Sequence, residues 1–260
     1  MADVLTQERR GAVALLTLNR PDQMNALSGD LVAALGEAVA SCRADAEVRV
    51  VVITGAGRAF CAGADLIEAA EVTQDSAAFR ELLMSWKSAF SAMDASPKPV
   101  IAALNGLTLA GGLELALSAD FMVASSKARI GDVHANFGLV PGGGGSQRLT
   151  DAVGSRAARW LMFTGETLDA EQARSLGLVH EVFAAETFID DVWAMATKIA
   201  SRSATGLAFM KRMSSPRAIT DDGLDLEINA AAHLVVGEDA REGLAAFGEK
   251  RSPHFTAVVQ

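Results

Sequence analysis

The sequence predicts an α/β fold in which parallel strands are joined by helical crossovers. Short apolar runs that suit buried strands alternate along the chain with longer runs at helical spacing. Half of the 260 residues are hydrophobic, and they are spread over these runs rather than gathered in one stretch. A chain of this length lies within the range that layered α/β proteins reach as one unit, so one large core is expected.

The first half of the chain sets up the alternation of strands and helices. Ala12–Asn19 is apolar and partly alternating, which predicts a strand, and Ser28 is a suitable N-cap for the helix after it. Val48–Ile53 predicts a buried strand that ends in a glycine turn. Phe79–Met93 has apolar residues at helical spacing, and prolines end it before the next predicted strand, Val100–Leu104.

The second half continues with one more pair of strands and then becomes helical. Phe121–Ala124 and His180–Phe183 are short apolar runs that predict strands. Between them, helices are expected over Ser146–Val153, Arg156–Phe163 and Ala170–Leu176, the last behind a possible N-cap at Asp169. After Thr187 the pattern is helical, with breaks near Ser214-Ser215-Pro216 and Gly237. We therefore divide the chain into a mixed core, residues 1–195, and a C-terminal helical region, residues 196–260.

Charge and composition exclude several classes of function. The formal net charge of −9 argues against nucleic acid, whose binding depends on many Lys and Arg contacts to phosphate. No apolar run approaches the roughly 18 residues that a membrane span needs. The N-terminal MADVLTQERRG has neither the basic start nor the apolar middle of a secretory signal, so a cytoplasmic location is expected. Cys42 and Cys61 are too few for a disulfide framework or a metal set.

Two glycine-rich turns have to be considered first as phosphate loops. Gly55-Ala56-Gly57-Arg58-Ala59-Phe60 begins like a dinucleotide fingerprint, but Phe60 occupies the place of the third glycine. Gly142–Gly145 lacks the Lys-Ser/Thr pair of a nucleotide P-loop. Glycines at such turns also let the backbone approach a ligand, so that successive N–H groups can point at one oxygen.

Five separated segments resemble the crotonase family, also called the enoyl-CoA hydratase/isomerase superfamily. They are NRPDQMNAL at 19–27, FCAGADL at 60–66, NGLTLAGGLE at 105–114, GLVPGGGGSQRL at 138–149 and FGEKRSPHF at 247–255. The resemblance implies a right-handed spiral of β-β-α turns followed by a helical trimerisation region. It also implies an oxyanion hole for a thioester carbonyl, with the N–H groups of Ala62 and Gly111 as donors.

The family's two acid–base positions are matched unequally. Glu114 matches the glutamate that activates water, and it lies one helical turn after Gly111. The second glutamate of the family is replaced by His134. Asp132 lies two residues earlier and, in an extended segment, would point to the same side, displaced by one repeat. His134 could donate a proton to Cα or could be a structural or substrate-contacting histidine, and the sequence leaves both interpretations open.

The resemblance also indicates how the substrate is held. Backbone groups of Ala26, Ala64, Asp65 and Leu66 would line the path of adenine and pantetheine, and Lys250 would meet a CoA phosphate, often from a neighbouring subunit. No separate cofactor or metal is implied, because CoA is part of the substrate. The acyl-CoA substrate is the expected partner, and the expected assembly is a homotrimer or a hexamer built as a dimer of trimers.

The expected reaction is hydration of the 2,3 double bond of an enoyl-CoA, in fatty acid or other acyl-CoA metabolism. An isomerase is disfavoured because it would depend on the second acidic position. A thioester hydrolase that uses Glu114 to activate water is an alternative, as is an acyl-CoA binding protein without catalysis. Arg148 is expected to pair with a structural carboxylate, and Cys61 to be a buried inert thiol.

Overall fold

The computed structural model describes residues 3–72, 75–214, 237–251 and 253–255. Within these residues the strands form two sheets, one of six strands and one of four. The strands are β1 Leu5–Arg10, β2 Val13–Leu18, β3 Val50–Gly55, β4 Ala59–Cys61, β5 Val100–Leu104, β6 Leu107–Leu109, β7 Phe121–Ser125, β8 Arg129–Gly131, β9 Leu168–Asp169 and β10 Glu181–Phe183.

Helices connect the strands and cover the sheets. They are α1 Gly29–Ala44, α2 Leu66–Val72, α3 Ser76–Asp94, α4 Gly111–Ala116, α5 Gly145–Thr164, α6 Ala170–Ser175, α7 Phe188–Ala200, α8 Ala204–Met213 and α9 Glu238–Glu249. The described residues also form short 3-10 helices at Pro21–Gln23 and His134–Phe137. No helix in the described ranges is both long and apolar enough to cross a membrane.

The chain alternates between the two sheets as it advances. The large sheet has the order β1-β2-β3-β5-β7-β10 and the small sheet the order β4-β6-β8-β9. Each strand pairs in parallel with its neighbours, except that β1 is antiparallel to β2 and β9 to β8. The successive pairs β3–β4, β5–β6 and β7–β8 are each followed by helical structure, so the predicted β-β-α repeat and the α/β class are confirmed.

The local signals for helix ends act as predicted. The Ser28 hydroxyl accepts the Leu31 N–H at 3.3 Å and caps α1. Asp169 and Gln172 form a reciprocal capping box at the start of α6. The two helices predicted after the glycine run are joined as α5, which is interrupted at Gly154, where φ is 77° and ψ is 156°.

The strands that the sequence analysis missed are short or polar. β1 contributes Thr, Gln, Glu and Arg side chains to solvent, and it forms because its backbone pairs with β2 from Leu5–Leu18 to Arg10–Val13. β4, β6 and β8 have three residues each and β9 has two, and these four strands form the small sheet. Such strands carry too few residues for a period of two to be recognised.

Both faces of the large sheet are covered by helices. One face packs against α1, α3, α4 and α5, and the other against the apolar side of α7, including Phe188, Val192 and Trp193. The predicted boundary between residues 195 and 196 lies inside α7, whose Ala196 and Ala200 continue the same packing. The predicted break near Ser214 agrees with the end of α8, while 215–236 lie outside the described residues.

Candidate active site

Glycines bring the segment after β4 against the start of α4. A Cβ on Gly112 would lie 2.1 Å from the Cys61 carbonyl oxygen, and a Cβ on Gly63 would lie 3.5 Å from the backbone nitrogen of Gly111. The first distance is far below van der Waals contact, so only glycine allows the two backbones to approach this closely. The two segments that the sequence analysis paired therefore meet in the fold.

The N–H of Ala62 is not available to a ligand, because it donates to the Met24 carbonyl at 3.1 Å. The assignment of an oxyanion donor to Ala62 therefore needs correction. Two residues later, the N–H of Ala64 has no hydrogen-bond partner among the described residues, and the same is true of the N–H of Gly111. Leu27 bonds to the residues on either side of Ala64, at 2.8 Å to Gly63 and 3.1 Å to Asp65.

Ala110, which precedes Gly111, has an unusual backbone conformation. Its φ is 47° and its ψ is −119°, a region that residues with a side chain rarely occupy. These torsions set the plane of the peptide that carries the Gly111 N–H. Strain of this kind costs about 1–3 kcal/mol and is found most often at functional sites.

The carboxylate of Glu114 is buried and held on one side only. The side chain is 1% exposed, and Oε1 accepts the N–H groups of Gly143 at 2.7 Å and Gly145 at 2.8 Å. Oε2 has no hydrogen-bond partner in the part of the chain that the structure describes. A buried charged oxygen without a partner is costly, so its free lone pairs mark a place for a polar ligand.

The glycine run 142–145 thus binds a carboxylate of the same chain. A Cβ on Gly145 would lie 3.0 Å from Glu114 Cγ, so a larger residue would displace the carboxylate. Arg148 steadies the turn, donating to the Gly143 carbonyl at 3.0 Å and pairing with Asp94 at 2.5 Å. The predicted pairing of Arg148 with a structural carboxylate is confirmed.

His134 faces the free oxygen of Glu114. Its Nε2 lies 3.8 Å from Glu114 Oε2, and its Nδ1 lies 2.8 Å from Asp132 Oδ1. Asp132 and His134 do not lie in an extended segment, because Val133 has φ −105° and ψ 12° and leads into the 3-10 helix. This turn brings the Asp132 carboxylate onto the imidazole instead of leaving it displaced along a strand.

The environment raises the pKa of both Glu114 and His134. For Glu114 the main cause is burial, which outweighs the Gly145 N–H, the nearby His134 and the Gly143 N–H. For His134, burial lowers the pKa, but the hydrogen bond and charge of Asp132 together with the charge of Glu114 more than compensate. The charge of Glu114 is thus one of the causes that favour the imidazolium form of His134.

An apolar wall lies beside this polar cluster. A Cβ on Gly111 would lie 2.7 Å from the Trp86 ring, and one on Gly143 would lie 3.0 Å from the Phe90 ring. Leu83 is similarly close to Gly142, at 2.8 Å. The apolar face of α3 formed by Leu83, Trp86 and Phe90 thus packs against the core and also against the glycine segments near Glu114.

Of the residues predicted to line the CoA path, the structure brings Ala26, Ala64 and Asp65 close together. A parallel bridge joins Leu27 to Ala64, next to Ala26. Arg20 donates to the Ala26 carbonyl at 2.6 Å and pairs with Asp65 at 2.8 Å, so the Asp65 side chain is engaged within the protein. Leu66 is 64% exposed at the start of α2. Lys250 is exposed after α9, and no described contact joins it to the others.

The remaining candidate groups show no sign of reactivity. Burial raises the pKa of the Cys61 thiol to about 12, in agreement with an inert thiol. Among the described residues, no group of three or more His, Cys, Asp or Glu side chains is placed to hold a metal ion. The donor at Ala64 and the anchoring roles of Gly143, Gly145 and Asp132 were not predicted from the sequence. For Gly143 and Gly145, the run of four glycines at 142–145 was a sequence feature that could have indicated backbone N–H groups binding an anion.

Comparisons with known proteins agree on one family. A family model described as enoyl-CoA hydratase/isomerase matches residues 8–258. A probable enoyl-CoA hydratase of Rhizobium meliloti is 38% identical, over 97% of this chain and 98% of its own. The 2,3-dehydroadipyl-CoA hydratase of Escherichia coli is also 38% identical, over 96% and 98%. The crystal structure of an enoyl-CoA hydratase from Bacillus anthracis superposes with a TM-score of 0.93 at 34% identity, covering 97% of this chain and 98% of that one.

Proposed function

Because this chain belongs to the enoyl-CoA hydratase/isomerase family, we propose that it adds water across the 2,3 double bond of an acyl-CoA thioester. The observation that carries the proposal is the free Oε2 of Glu114, which faces His134 Nε2 across 3.8 Å. Glu114 lies one helical turn after Gly111, whose N–H has no partner among the described residues. Similarity over nearly the whole chain to relatives whose names state hydratase activity also supports the proposal.

The N–H groups of Ala64 and Gly111 would hold the thioester carbonyl oxygen. Attack at Cβ turns this oxygen into an enolate, and two donors fixed in advance stabilise the negative charge as it develops. Ala64 replaces Ala62 in this proposal, since the Ala62 N–H is already bonded to Met24. The strained torsions of Ala110 fix the direction of the second donor.

Glu114 and His134 would divide the proton transfers. The Glu114 carboxylate takes a proton from water as the water oxygen bonds to Cβ. The His134 imidazolium gives the proton on Nε2 to Cα. The product has gained one OH and one H. The site is left with neutral Glu114 and neutral His134, and transfer of the proton from Glu114 to His134 restores the starting charges. The raised pKa values favour this division of roles.

The substrate's own CoA would supply the handle, and the chemistry above uses no other cofactor. Ala26, Ala64, Asp65 and Leu66 would line the CoA path, and Lys250 would meet a phosphate. We also propose a trimer, or a hexamer made of two trimers, in the cytoplasm. Size-exclusion chromatography with light scattering tests the assembly.

The test of function is the loss of the conjugated thioester absorbance when purified protein meets crotonyl-CoA or longer and aromatic enoyl-CoAs. Hydration is expected with at least one of them, with a 3-hydroxyacyl-CoA as product by mass spectrometry. Binding without turnover on the whole panel would refute the proposal in favour of an acyl-CoA binding protein. Release of free CoA, measured with a thiol reagent, would instead identify a thioester hydrolase.

A further inference from the structure

Asp132 contacts His134 but takes no direct part in the proposed proton transfers. It is a buried carboxylate, 1% exposed, between β8 and the 3-10 helix at His134–Phe137. Its Oδ1 lies 2.8 Å from His134 Nδ1 and also accepts the backbone N–H of His134 at 3.3 Å. One oxygen therefore holds both the backbone and the ring of the same residue.

The contact decides which ring nitrogen carries the proton. A carboxylate can only accept a hydrogen bond, so Nδ1 must be the donor in both the neutral and the charged imidazole. In the neutral ring this leaves a lone pair on Nε2. Nε2 is the nitrogen that faces Glu114 Oε2 at 3.8 Å.

We propose that Asp132 is a positioning residue that keeps the proton of neutral His134 on Nδ1, so that Nε2 alone exchanges protons with the substrate. The inference rests on the proposed hydration, and it adds a second carboxylate to the site, one that acts only through His134. Its effect would be to make the imidazole, rather than Glu114, the resting holder of the shared proton.

The charges around His134 give the direction of the effect. Asp132, from the preceding turn, and Glu114, from α4, are the ionised groups that act on it, and α5, which packs against this turn, adds none within the described residues. Both carboxylates raise the pKa of His134, whereas burial lowers it. Without the Asp132 charge, only Glu114 counteracts the lowering of the His134 pKa by burial, so this pKa must fall.

The two directions of the reaction report this fall differently. Hydration needs the imidazolium, so its rate declines as pH rises through the pKa of His134. Dehydration of the 3-hydroxyacyl thioester needs the neutral ring, so its rate declines as pH falls through the same pKa. Asp132→Asn should therefore lower the pH at which the hydration rate declines and the pH at which the dehydration rate declines. A purely structural role for Asp132 would reduce rate or stability without changing either pH.

The experiment is a ¹⁵N NMR titration of the histidine rings in the full-length protein, with His134→Gln to assign the signal. We expect neutral wild-type His134 to carry its proton on Nδ1. Asp132→Asn, a near-isosteric change, should lower the titration midpoint by about 1 pH unit, the low end for an adjacent opposite charge. Asp190→Asn, which changes an exposed carboxylate on α7, should leave the midpoint unchanged.

Two results would overturn the inference. One is an unchanged His134 midpoint in a folded Asp132→Asn protein, and the other is a proton on Nε2 in the wild type. The second measurement needs no variant, so it decides the matter even when Asp132→Asn does not fold. Activity is scored separately: no enoyl-CoA turnover by the wild type refutes hydration, while the titration still decides the role of Asp132.

Discussion

His134 Nε2 and Glu114 Oε2 face each other across 3.8 Å. The other polar atom of each side chain, His134 Nδ1 and Glu114 Oε1, is bound by a different kind of group. Backbone N–H groups hold Glu114, and the carboxylate of Asp132 holds His134. The site thus combines one acid that burial makes more basic with one base that its neighbours make more easily protonated. A second glutamate is not needed for such a pair to exchange protons.

Glu114→Gln should remove most of the activity and keep the fold. The amide oxygen can still accept the Gly143 and Gly145 N–H groups, but a neutral amide cannot take a proton from water. We expect kcat to fall at least about 100-fold, the low end for a positioned acid or base. Glu37→Gln, an exposed change on α1, should have no effect. A near-normal kcat for Glu114→Gln would refute the role of the carboxylate.

The same variant should be at least as stable as the wild type at neutral pH. Since burial raises the pKa of Glu114 above its unfolded value, folding favours the protonated form and the ionised form weakens the native state once pH exceeds that value. The neutral amide removes this penalty. Calorimetry should give an equal or higher Tm, and a Tm well below that of the wild type would contradict the sign.

Backbone esters distinguish the two possible donors in the segment after β4. Lactic acid incorporated at position 64 replaces the free N–H by oxygen and should lower kcat by about 100- to 1,000-fold. The same change at position 62 removes the bond to Met24, so it should cost about 1 kcal/mol of stability with little change in kcat. The reverse pattern would restore the donor to Ala62.

The hydration rate should follow a bell-shaped curve in pH. It declines on the acid side as Glu114 is protonated and on the alkaline side as His134 loses its proton. Both pKa values are raised, so the acid limb should lie above 4.5 and the alkaline limb above 6.5. These limbs are measured from kcat/KM. His134→Gln should abolish the alkaline limb, and an unaltered limb would show that His134 does not transfer the proton.

Ala110→Gly should stabilise the protein. Glycine adopts φ near 47° without the strain of a Cβ, and relief of that strain should exceed the added entropy of the unfolded chain by about 1 kcal/mol. Ala33→Gly, at an exposed position within α1, is the matched control and should destabilise by roughly 0.5–1 kcal/mol. Denaturant titrations that give both changes the same sign would contradict the assigned strain.

Lys250→Gln should weaken binding of the CoA portion alone. An exposed ion pair is worth about 0.2–1 kcal/mol, so KM for an enoyl-CoA should rise by up to about fivefold, and less at high salt. KM for the corresponding N-acetylcysteamine thioester, which has no phosphate, should not change. Lys198→Gln on α7 serves as control, and equal effects on both thioesters would rule out a phosphate contact.

Apolar runs and helical spacing in the sequence were sufficient for the longer elements, such as the strand Val50–Gly55 and the helix Ser76–Asp94. The place of Glu114 one helical turn after Gly111 followed from the family resemblance, and α4 confirms it. What could not be predicted depends on contacts between distant segments. The occupied N–H of Ala62 depends on the path of residues near Met24, and the Asp132–His134 contact depends on a turn at Val133 that no residue-type preference indicates.

The anchor for Glu114 consists of main-chain groups, which every residue except proline possesses. Exchange of a glycine here for any residue other than proline therefore keeps the donor, but an added Cβ on Gly143 would lie 3.1 Å from Glu114 Oε2 and displace the carboxylate. The position of this carboxylate is consequently insensitive to changes in the polarity of its surroundings and sensitive to any gain in bulk. An added methyl group at Gly143 or Gly145 would therefore disturb the carboxylate although it changes no charge.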